Sequence, residues 1–267
     1  MNRIAAIVLM LALFGTGHLP AQDWAKARLE KSPRHLEWIK IKHGSREVNC
    51  FIAYPESSQK VPAIIVAHEI FGLTDWVRGV ADQLAEAGYI AIAPDLLSGS
   101  APGGGGTAEL GGNDAVRKAI SSLPAQQVTA DLDAAADYAA KLPAANGTVA
   151  VAGFCWGGGQ AFGFATRRRD LKAAFVFYGI PPADEAELAR IQCPVFGFYA
   201  GNDARVTSTV DKTTVQMKQA GKVFEPVIYP GAGHGFMRAG EAPDASQPNK
   251  QARDQAWQRW KELLKKL

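Results

Sequence analysis

One stretch of the sequence limits the possible folds more than any other: residues 148–159, which read Thr-Val-Ala-Val-Ala-Gly-Phe-Cys-Trp-Gly-Gly-Gly. The apolar residues predict a short buried strand, and the glycines around Cys155 predict a sharp turn into a helix. Gly153 and Gly157 stand two residues before and after Cys155, which is the spacing of a nucleophile elbow with sulfur in place of serine oxygen. Because such a turn is strained, side chains at the two glycine positions would collide. The alternative interpretation is a small buried cysteine in a glycine-rich turn.

The predicted position of Cys155 has a chemical consequence. A residue at a helix N-terminus faces unpaired N–H groups and the positive end of the helix dipole, both of which stabilise a thiolate or an oxyanion. A glycine loop that binds phosphate would lack the central cysteine. The stretch therefore favours a nucleophilic cysteine.

Length and composition fit one α/β domain with a substantial core. The chain has 267 residues, of which 47% are hydrophobic and 21% are charged. Its formal net charge of +3 is too small to indicate a nucleic-acid partner or an anionic membrane surface. The sequence shows no internal repeat and no second domain.

Residues 1–21 are predicted to be an export signal. Asn2-Arg3 forms a charged start, and an apolar run extends from Ile4 to Phe14, before a segment of mostly small residues that ends at Ala21. The run is too short to span a bilayer comfortably, and no cysteine directly follows it to carry a lipid. We therefore expect an exported protein, periplasmic or secreted, with no stable membrane anchor. Residues 22–34 would then be a polar N-terminal leader.

The remaining chain, residues 35–267, alternates apolar strands with amphipathic helices. This alternation predicts a single-domain α/β fold with a mostly parallel central sheet and helices on both faces. The glycine-rich segment Ser98–Asn113 has no periodicity, and we expect a mobile loop near the mouth of the site. Strands are predicted at residues 35–42, 47–53, 61–67, 89–93, 148–154, 173–178, 194–200 and 224–229, and helices at residues 75–87, 126–142, 209–220 and 249–267.

Polar residues that follow the predicted strands supply partners for Cys155. The loops after parallel strands build the active site of such folds. Asp203 and His234 each lie in a loop that follows a predicted strand. Their chain order of nucleophile, acid and histidine is that of α/β-hydrolases. His234 would take the thiol proton and later protonate the leaving group, and Asp203 would fix the tautomer of His234 and stabilise its imidazolium. Either residue alone would more often be structural.

Glu69 stands directly beyond the strand predicted at residues 61–67. A carboxylate at that position is costly unless it is solvated or paired, so a solvated charge and a catalytic role are equally open. The backbone N–H groups of Ile70 and Trp156 are the natural oxyanion hole, because one follows that strand and the other follows the nucleophile.

At these residues the chain resembles the dienelactone hydrolase family of the α/β-hydrolase fold, from about His35 to Leu267. The resemblance implies a Cys-His-Asp triad at Cys155, His234 and Asp203. It also implies that Glu69 holds the resting thiol and helps to form the thiolate when substrate binds. The motifs that carry the resemblance are His68–Gly72, Pro94–Leu96, Gly153–Gly158, Gly201–Asp203 and Gly233–Phe236.

The same resemblance bears on the substrate. Founding members of the family open a cyclic enol-lactone whose carboxylate is held by two arginines. Arg238 matches one of them, but Gly99 stands where the second is expected. A single arginine is a weaker clamp for an anion. Arg78, Arg117 and Arg205 are the candidates to replace the missing one.

The sequence therefore predicts a cysteine-dependent hydrolase of small esters or lactones, of the carboxymethylenebutenolidase type, that acts through an acyl-cysteine intermediate. No metal and no organic cofactor is expected, and the partner is a small-molecule substrate, which the resemblance and Arg238 suggest bears a carboxylate. A monomer is favoured. A broad-specificity carboxylesterase or thioesterase is the alternative within this class, and a non-catalytic binding protein of the same fold is the alternative outside it. Cys50 and Cys193 are predicted to be buried thiols, although export would permit a disulfide between them.

Overall fold

The computed structural model describes residues 22–267, so the predicted export signal lies outside the described residues. The strands are β1 (Leu36–His43), β2 (Arg46–Ala53), β3 (Val61–Ala67), β4 (Ile90–Pro94), β5 (Ala145–Phe154), β6 (Ala174–Phe177), β7 (Val195–Ala200) and β8 (Phe224–Tyr229). They form a single sheet with the strand order β1-β2-β4-β3-β5-β6-β7-β8. The pairs β1–β2 and β2–β4 are antiparallel, and every other neighbouring pair is parallel.

Helices cover both faces of this sheet. Buried side chains of α1, α2 and α10 pack on one face, and those of α4, α5 and α8 pack on the other. The predicted single-domain α/β fold is therefore confirmed. The helices are α1 (Asp23–Glu30), α2 (Asp75–Glu86), α3 (Asn113–Ser121), α4 (Ala125–Ala140), α5 (Trp156–Ala165), α6 (Glu185–Leu188), α7 (Ala204–Thr207), α8 (Val210–Gln219), α9 (Phe236–Ala239) and α10 (Gln247–Leu264).

The central strands owe their position to continuous apolar runs. In β3, Ile64 and Val66 pack into the core on one face, and Ile65 and Ala67 pack into the core on the other. Side chains of a strand alternate between its two faces, so a run without polar residues is stable only where both faces are covered. Because the central strands are parallel, the polar groups that follow them lie at one edge of the sheet.

Residues 23–30 of the predicted polar leader form helix α1, an element that the sequence interpretation did not include. Ala25 and Leu29 of α1 are buried against the same core as α2. These two residues are four apart and so share a helix face. The backbone N–H of Trp76 donates a hydrogen bond to Gln22 Oε1 at 2.9 Å, which ties the start of α1 to the first turn of α2.

The segment Ser98–Asn113 also contains more structure than its composition predicts. It includes two 3₁₀-helices, Pro102–Gly104 and Thr107–Leu110. The Thr107 hydroxyl donates to Asp95 Oδ1 at 2.7 Å, and its backbone N–H donates to Asp95 Oδ2 at 2.8 Å. The segment is thus tied to the end of β4. Helix α3, which follows it, was not predicted.

The remaining cysteines are free buried thiols, as expected. Cys50 is 0% exposed and Cys193 is 6% exposed, and neither forms a disulfide. Burial raises the pKa of the Cys193 thiol to about 11 and raises that of Cys50 further. Such thiols are poor nucleophiles at neutral pH. Among residues 22–267, no helix is both long and apolar enough to cross a bilayer.

Candidate active site

Cys155 lies in a strained turn between β5 and α5. Its backbone has φ 55° and ψ −117°, a conformation that residues other than glycine rarely adopt. A Cβ atom at Gly153 would collide with the carbonyl oxygen of Gly157, and a Cβ atom at Gly157 would collide with that of His68. The two glycines are therefore needed for the elbow. The turn leaves the thiol partly exposed at the N-terminus of α5.

The structure brings the three residues of the predicted triad together. His234 Nε2 lies 3.1 Å from Cys155 Sγ, and His234 Nδ1 lies 2.5 Å from Asp203 Oδ2. The three residues follow β5, β7 and β8, so they reach one edge of the sheet from three separate loops. Asp203 is buried at 8% exposure, which shields its contact with the imidazole from water.

The neighbours of His234 favour its protonated form. The hydrogen bond with Cys155 is the largest contribution, and together with Asp203 it outweighs burial and raises the pKa of His234 to about 9. An imidazole with this pKa carries a proton at neutral pH. An imidazolium in contact with sulfur can stabilise a thiolate and can later return its proton to a leaving group.

Glu69 is buried and paired with Arg238. Arg238 Nε donates to Glu69 Oε2 at 2.7 Å, and Glu69 is 2% exposed. The interpretation of Glu69 as a solvated charge at a strand end is therefore wrong. Burial raises the pKa of Glu69, and the charge of Arg238 opposes that rise. Among the side chains of the described chain, Glu69 bonds to Arg238 and the Cys155 thiol bonds to His234, so Glu69 does not hold the thiol in this conformation.

The backbone groups proposed for the oxyanion hole face the same space as the thiol. Ile70 follows the end of β3, Trp156 is the first residue of α5, and both line a cleft with Cys155. Within residues 22–267, neither N–H donates a hydrogen bond to another protein group. Two unpaired donors beside a nucleophile are the arrangement that stabilises the oxygen of a tetrahedral intermediate.

Two cavities are lined by residues of the candidate site, one by Cys155 and the other by Arg238. The smaller, of about 530 Å³, contains Cys155 and has mainly apolar walls, with Arg167, Glu187 and Arg205 as its charged residues. The larger, of about 870 Å³, is lined by Phe71, Arg78, Arg117 and Arg238 among others, and does not include Cys155. The chemistry therefore belongs to the smaller cleft, whose apolar wall consists of Ile70, Trp156, Tyr178, Ile180, Pro181 and Pro182.

The candidate arginines are divided between these cavities. Arg78 forms an ion pair with Asp75 in the larger cavity. Arg117 lies over the Phe71 ring at 5.1 Å from its centroid, in the same cavity as Arg238. Arg205 is the candidate that lines the cleft of Cys155.

Two site residues were missed from the sequence. Tyr178 has a φ of 41°, is 1% exposed, and packs its ring edge-on against that of His234 at 5.1 Å. His68, read only as part of a motif, is fully buried beside Trp156. Gly179, which follows Tyr178, is the local sequence feature that could have drawn attention to Tyr178. Glycine is required there because a Cβ atom would strike the backbone of Gly158. Among the described residues, no cluster of three His, Cys, Asp or Glu side chains could hold a metal ion.

Comparison with known proteins shows the family to which this chain belongs. A sequence model of the dienelactone hydrolase family matches residues 48–267. The chain belongs to the dienelactone hydrolase family. Members of this family are hydrolases that act on ester or lactone bonds, which places the chain in that class of enzyme.

Curated relatives and solved structures extend the match. A Methylorubrum extorquens protein provisionally named carboxymethylenebutenolidase is 32% identical over 210 residues, covering 74% of this chain and 71% of the relative. One of the same provisional name from Yersinia pestis is 33% identical over 203 residues, covering 71% and 74%. The crystal structure of a provisionally named dienelactone hydrolase from Klebsiella pneumoniae is 27% identical, with a TM-score of 0.76, and the match covers 88% of this chain and 99% of that one.

Proposed function

We propose that this hydrolase is cysteine-dependent and cleaves small esters or lactones through an acyl-cysteine intermediate, with Cys155, His234 and Asp203 as its catalytic triad. The observation that carries the proposal is the continuous contact from sulfur to imidazole to carboxylate, at 3.1 Å and 2.5 Å. The same three residue types in the same chain order support the proposal from the sequence.

In the first half of the reaction, the Cys155 thiolate attacks the carbonyl carbon, a C–S bond forms, and the carbonyl electron pair moves onto oxygen. The N–H groups of Ile70 and Trp156 receive this oxyanion, and one such donor contributes about 10²- to 10³-fold in rate. When the tetrahedral intermediate collapses, the C–O bond to the leaving group breaks and His234 Nε2 supplies the proton that the leaving alkoxide takes. In the second half, His234 removes a proton from water, whose oxygen attacks the acyl carbon of the acyl-cysteine. The C–S bond then breaks, the carboxylic acid leaves, and the Cys155 thiolate is restored beside the protonated His234.

Glu69 and Arg238 form the charged pair beside this centre. Since burial raises the pKa of Glu69, its carboxyl group can accept a proton more readily than an exposed glutamate. We infer that Glu69 serves as the alternative proton acceptor for the thiol that the family resemblance implies. Arg238 commits its Nε to Glu69 and can offer its remaining N–H groups to a substrate carboxylate.

The decisive experiment compares the purified protein with its Cys155→Ala variant on p-nitrophenyl acetate and on a dienelactone. We expect kcat to fall by at least about 10³-fold on any substrate that is turned over. Cys193→Ala is the matched control, because it removes a buried thiol outside the cleft and should leave kcat within about twofold. Turnover that survives Cys155→Ala would contradict the mechanism and favour a non-catalytic binding protein with the same fold.

The substrate range is the second question. Apolar walls around Cys155 favour a broad-specificity carboxylesterase or thioesterase, whereas Arg205 in the same cleft and Arg238 beside it favour a carboxylate-bearing ester or lactone. Mono-p-nitrophenyl succinate and p-nitrophenyl butyrate differ chiefly in a terminal carboxylate. A higher kcat/KM for the succinate supports the lactone type of activity, and a strong preference for the butyrate excludes it.

We also propose that the protein is exported to the periplasm or the medium, on the basis of the charged and apolar segments within residues 1–21. N-terminal sequencing of the protein made in a bacterial host is expected to begin at Gln22. A chain that retains its first residues in the cytoplasm would contradict export.

A further inference from the structure

The ring of His68 contacts both sides of the proposed oxyanion hole. His68 directly follows β3 and is 0% exposed. Its Nδ1 lies 2.8 Å from the carbonyl oxygen of Glu69. Its ring stacks on that of Trp156 with the centroids 5.4 Å apart and an interplanar angle of 23°. One side chain therefore touches the segments that provide both N–H donors.

The contact with Glu69 controls the direction of the Ile70 N–H. The Glu69 carbonyl and the Ile70 N–H belong to one peptide unit, which is planar and trans, so the two groups point in opposite directions. A hydrogen bond that fixes the carbonyl oxygen consequently fixes the N–H as well. The Gly72 N–H donates to the same oxygen at 3.1 Å. Donors on the carbonyl also polarise the amide, which strengthens its N–H as a donor.

The protonation of His68 follows from its second contact. The Leu96 N–H donates to His68 Nε2 at 3.3 Å, so Nε2 is the nitrogen without a proton. Nδ1 then carries the hydrogen and donates it to Glu69. Leu96 lies just beyond β4, which pairs with β3. The imidazole is thus held between the ends of two neighbouring strands, and burial, which lowers its pKa, keeps it neutral.

We propose that His68 is a positioning residue for the oxyanion hole: through the Glu69–Ile70 peptide it aims the Ile70 N–H at the reacting oxygen, and through its ring it packs against Trp156. The inference rests on the proposed acyl-cysteine mechanism. His68 itself neither touches the substrate nor exchanges a proton in the reaction. Its effect should therefore be confined to steps that develop an oxyanion.

Three substitutions separate this role from that of an ordinary buried side chain. In His68→Asn the amide N–H takes the place of Nδ1–H and can still reach the Glu69 carbonyl. In His68→Gln the amide extends to the position of Nε2, so the bond to Leu96 can persist but the bond to Glu69 is lost. In His68→Phe a stacking ring remains and both hydrogen bonds are lost.

Two rates are measured on each variant. The first is the turnover of p-nitrophenyl acetate, with kcat and KM determined separately, because acylation places an oxyanion in the hole. The second is the alkylation of Cys155 by iodoacetamide, in which a C–S bond forms, a C–I bond breaks and iodide leaves. No oxyanion forms in that displacement, so its rate reports only the state of Cys155 and His234.

For His68→Phe we expect kcat to fall by about 10- to 100-fold, less than the loss expected when a donor is removed outright, with KM and the alkylation rate within about twofold. His68→Asn should recover most of kcat, and His68→Gln should not. Equal losses in turnover and alkylation would overturn the proposal, as would an unchanged kcat in His68→Phe. If His68→Phe does not fold, the Asn and Gln variants decide: turnover in the Gln variant equal to or above that in the Asn variant overturns it. Failure of the acyl-cysteine mechanism itself appears separately, in the Cys155→Ala comparison.

Discussion

Two His–Asp pairs in this molecule have nearly the same geometry and different surroundings. His234 Nδ1 lies 2.5 Å from Asp203, and His43 Nε2 lies 2.6 Å from Asp131, whose side chain is fully buried. The free nitrogen of His234 faces a nucleophile. In the other pair the carboxylate is shared with Arg46, which donates three hydrogen bonds to Asp131 at 2.8, 3.0 and 2.9 Å.

The difference shows what turns a His–Asp pair into a candidate catalytic site. Asp131 lies on α4 and His43 ends β1, so their contact fastens the antiparallel hairpin to a helix on the sheet face. His234 and Asp203 stand at the edge of the sheet, beside a strained elbow and an open cleft. The His43–Asp131 pair therefore joins two elements of the fold, and we call it the structural clamp. Unlike His234–Asp203, it has neither a strained nucleophile nor an open cleft beside it.

The largest expected effect separates the two histidines by activity. His234→Gln should lower kcat/KM for p-nitrophenyl acetate by about 10³- to 10⁴-fold, because no group remains to protonate the leaving group or to remove a proton from the attacking water. His43→Gln should leave kcat/KM within about twofold, since His43 contacts Asp131 and does not line the cleft of Cys155. Steady-state kinetics on both variants, with circular dichroism to verify folding, makes the comparison.

Similar losses of activity in the two variants would contradict this expectation. The hairpin would then have to support the active site through the sheet, and the distinction between a structural His43–Asp131 pair and a catalytic His234–Asp203 pair would be wrong. Alkylation of Cys155 by iodoacetamide provides an internal check. It should slow in His234→Gln and remain unchanged in His43→Gln.

The second effect separates the two aspartates by stability. Asp131→Ala should lower the free energy of unfolding by about 2–4 kcal/mol, because it leaves the guanidinium of Arg46 without its partner in a mostly buried position. Asp203→Asn keeps an acceptor for the imidazole and should cost less than about 1 kcal/mol. Its kcat should nevertheless fall by about 10²-fold or more, since the amide neither fixes the tautomer nor stabilises the imidazolium.

Urea denaturation at neutral pH measures the stability of both variants against the parent protein. Asp133→Ala, at a half-exposed position of α4, is the control for helix propensity. It should change stability by less than about 1 kcal/mol, because Arg168 keeps its other partners Asp137 and Asp170. If Asp203→Asn proves as destabilising as Asp131→Ala, both His–Asp pairs contribute similarly to the free energy of unfolding. Only the position of His234 beside Cys155 would then distinguish the candidate site.

The central sheet and the residues of the proposed triad were predictable for related reasons. Strands β3 and β8 have the bounds that the sequence predicts. In β3 an apolar run between Lys60 and His68 marks both ends. Once parallel strands are placed, the residues that follow them must meet at one edge. Cys155, Asp203 and His234 needed no information about side-chain direction to be grouped there.

Features that depend on side-chain direction or distant partners were not predictable. Glu69 and Arg238 are 169 positions apart, and no local pattern indicates that they form a pair. The hydrogen bond from the Thr107 hydroxyl to Asp95 joins residues 12 positions apart, and the glycine-rich segment between them shows no hydrophobic periodicity. Helix α1 was missed because it has only eight residues, half of them charged, and only two buried side chains, Ala25 and Leu29.

The smallest expected effect is a change in the pH dependence of stability when the contact between His234 and the Cys155 sulfur is removed. The pKa of His234 is raised to about 9, and the hydrogen bond with Cys155 is the largest cause. Because this pKa lies above the usual 6.5, the interaction stabilises the fold fully below about pH 6.5, and the contribution is lost as pH rises towards 9. In Cys155→Ala the pKa of His234 should fall, so the free energy of unfolding should decline less over this range. NMR titration of the His234 ring and urea denaturation between pH 6 and pH 9 measure the two quantities. A His234 that titrates near 6.5 in the unsubstituted protein would show that its contact with sulfur does not favour the imidazolium.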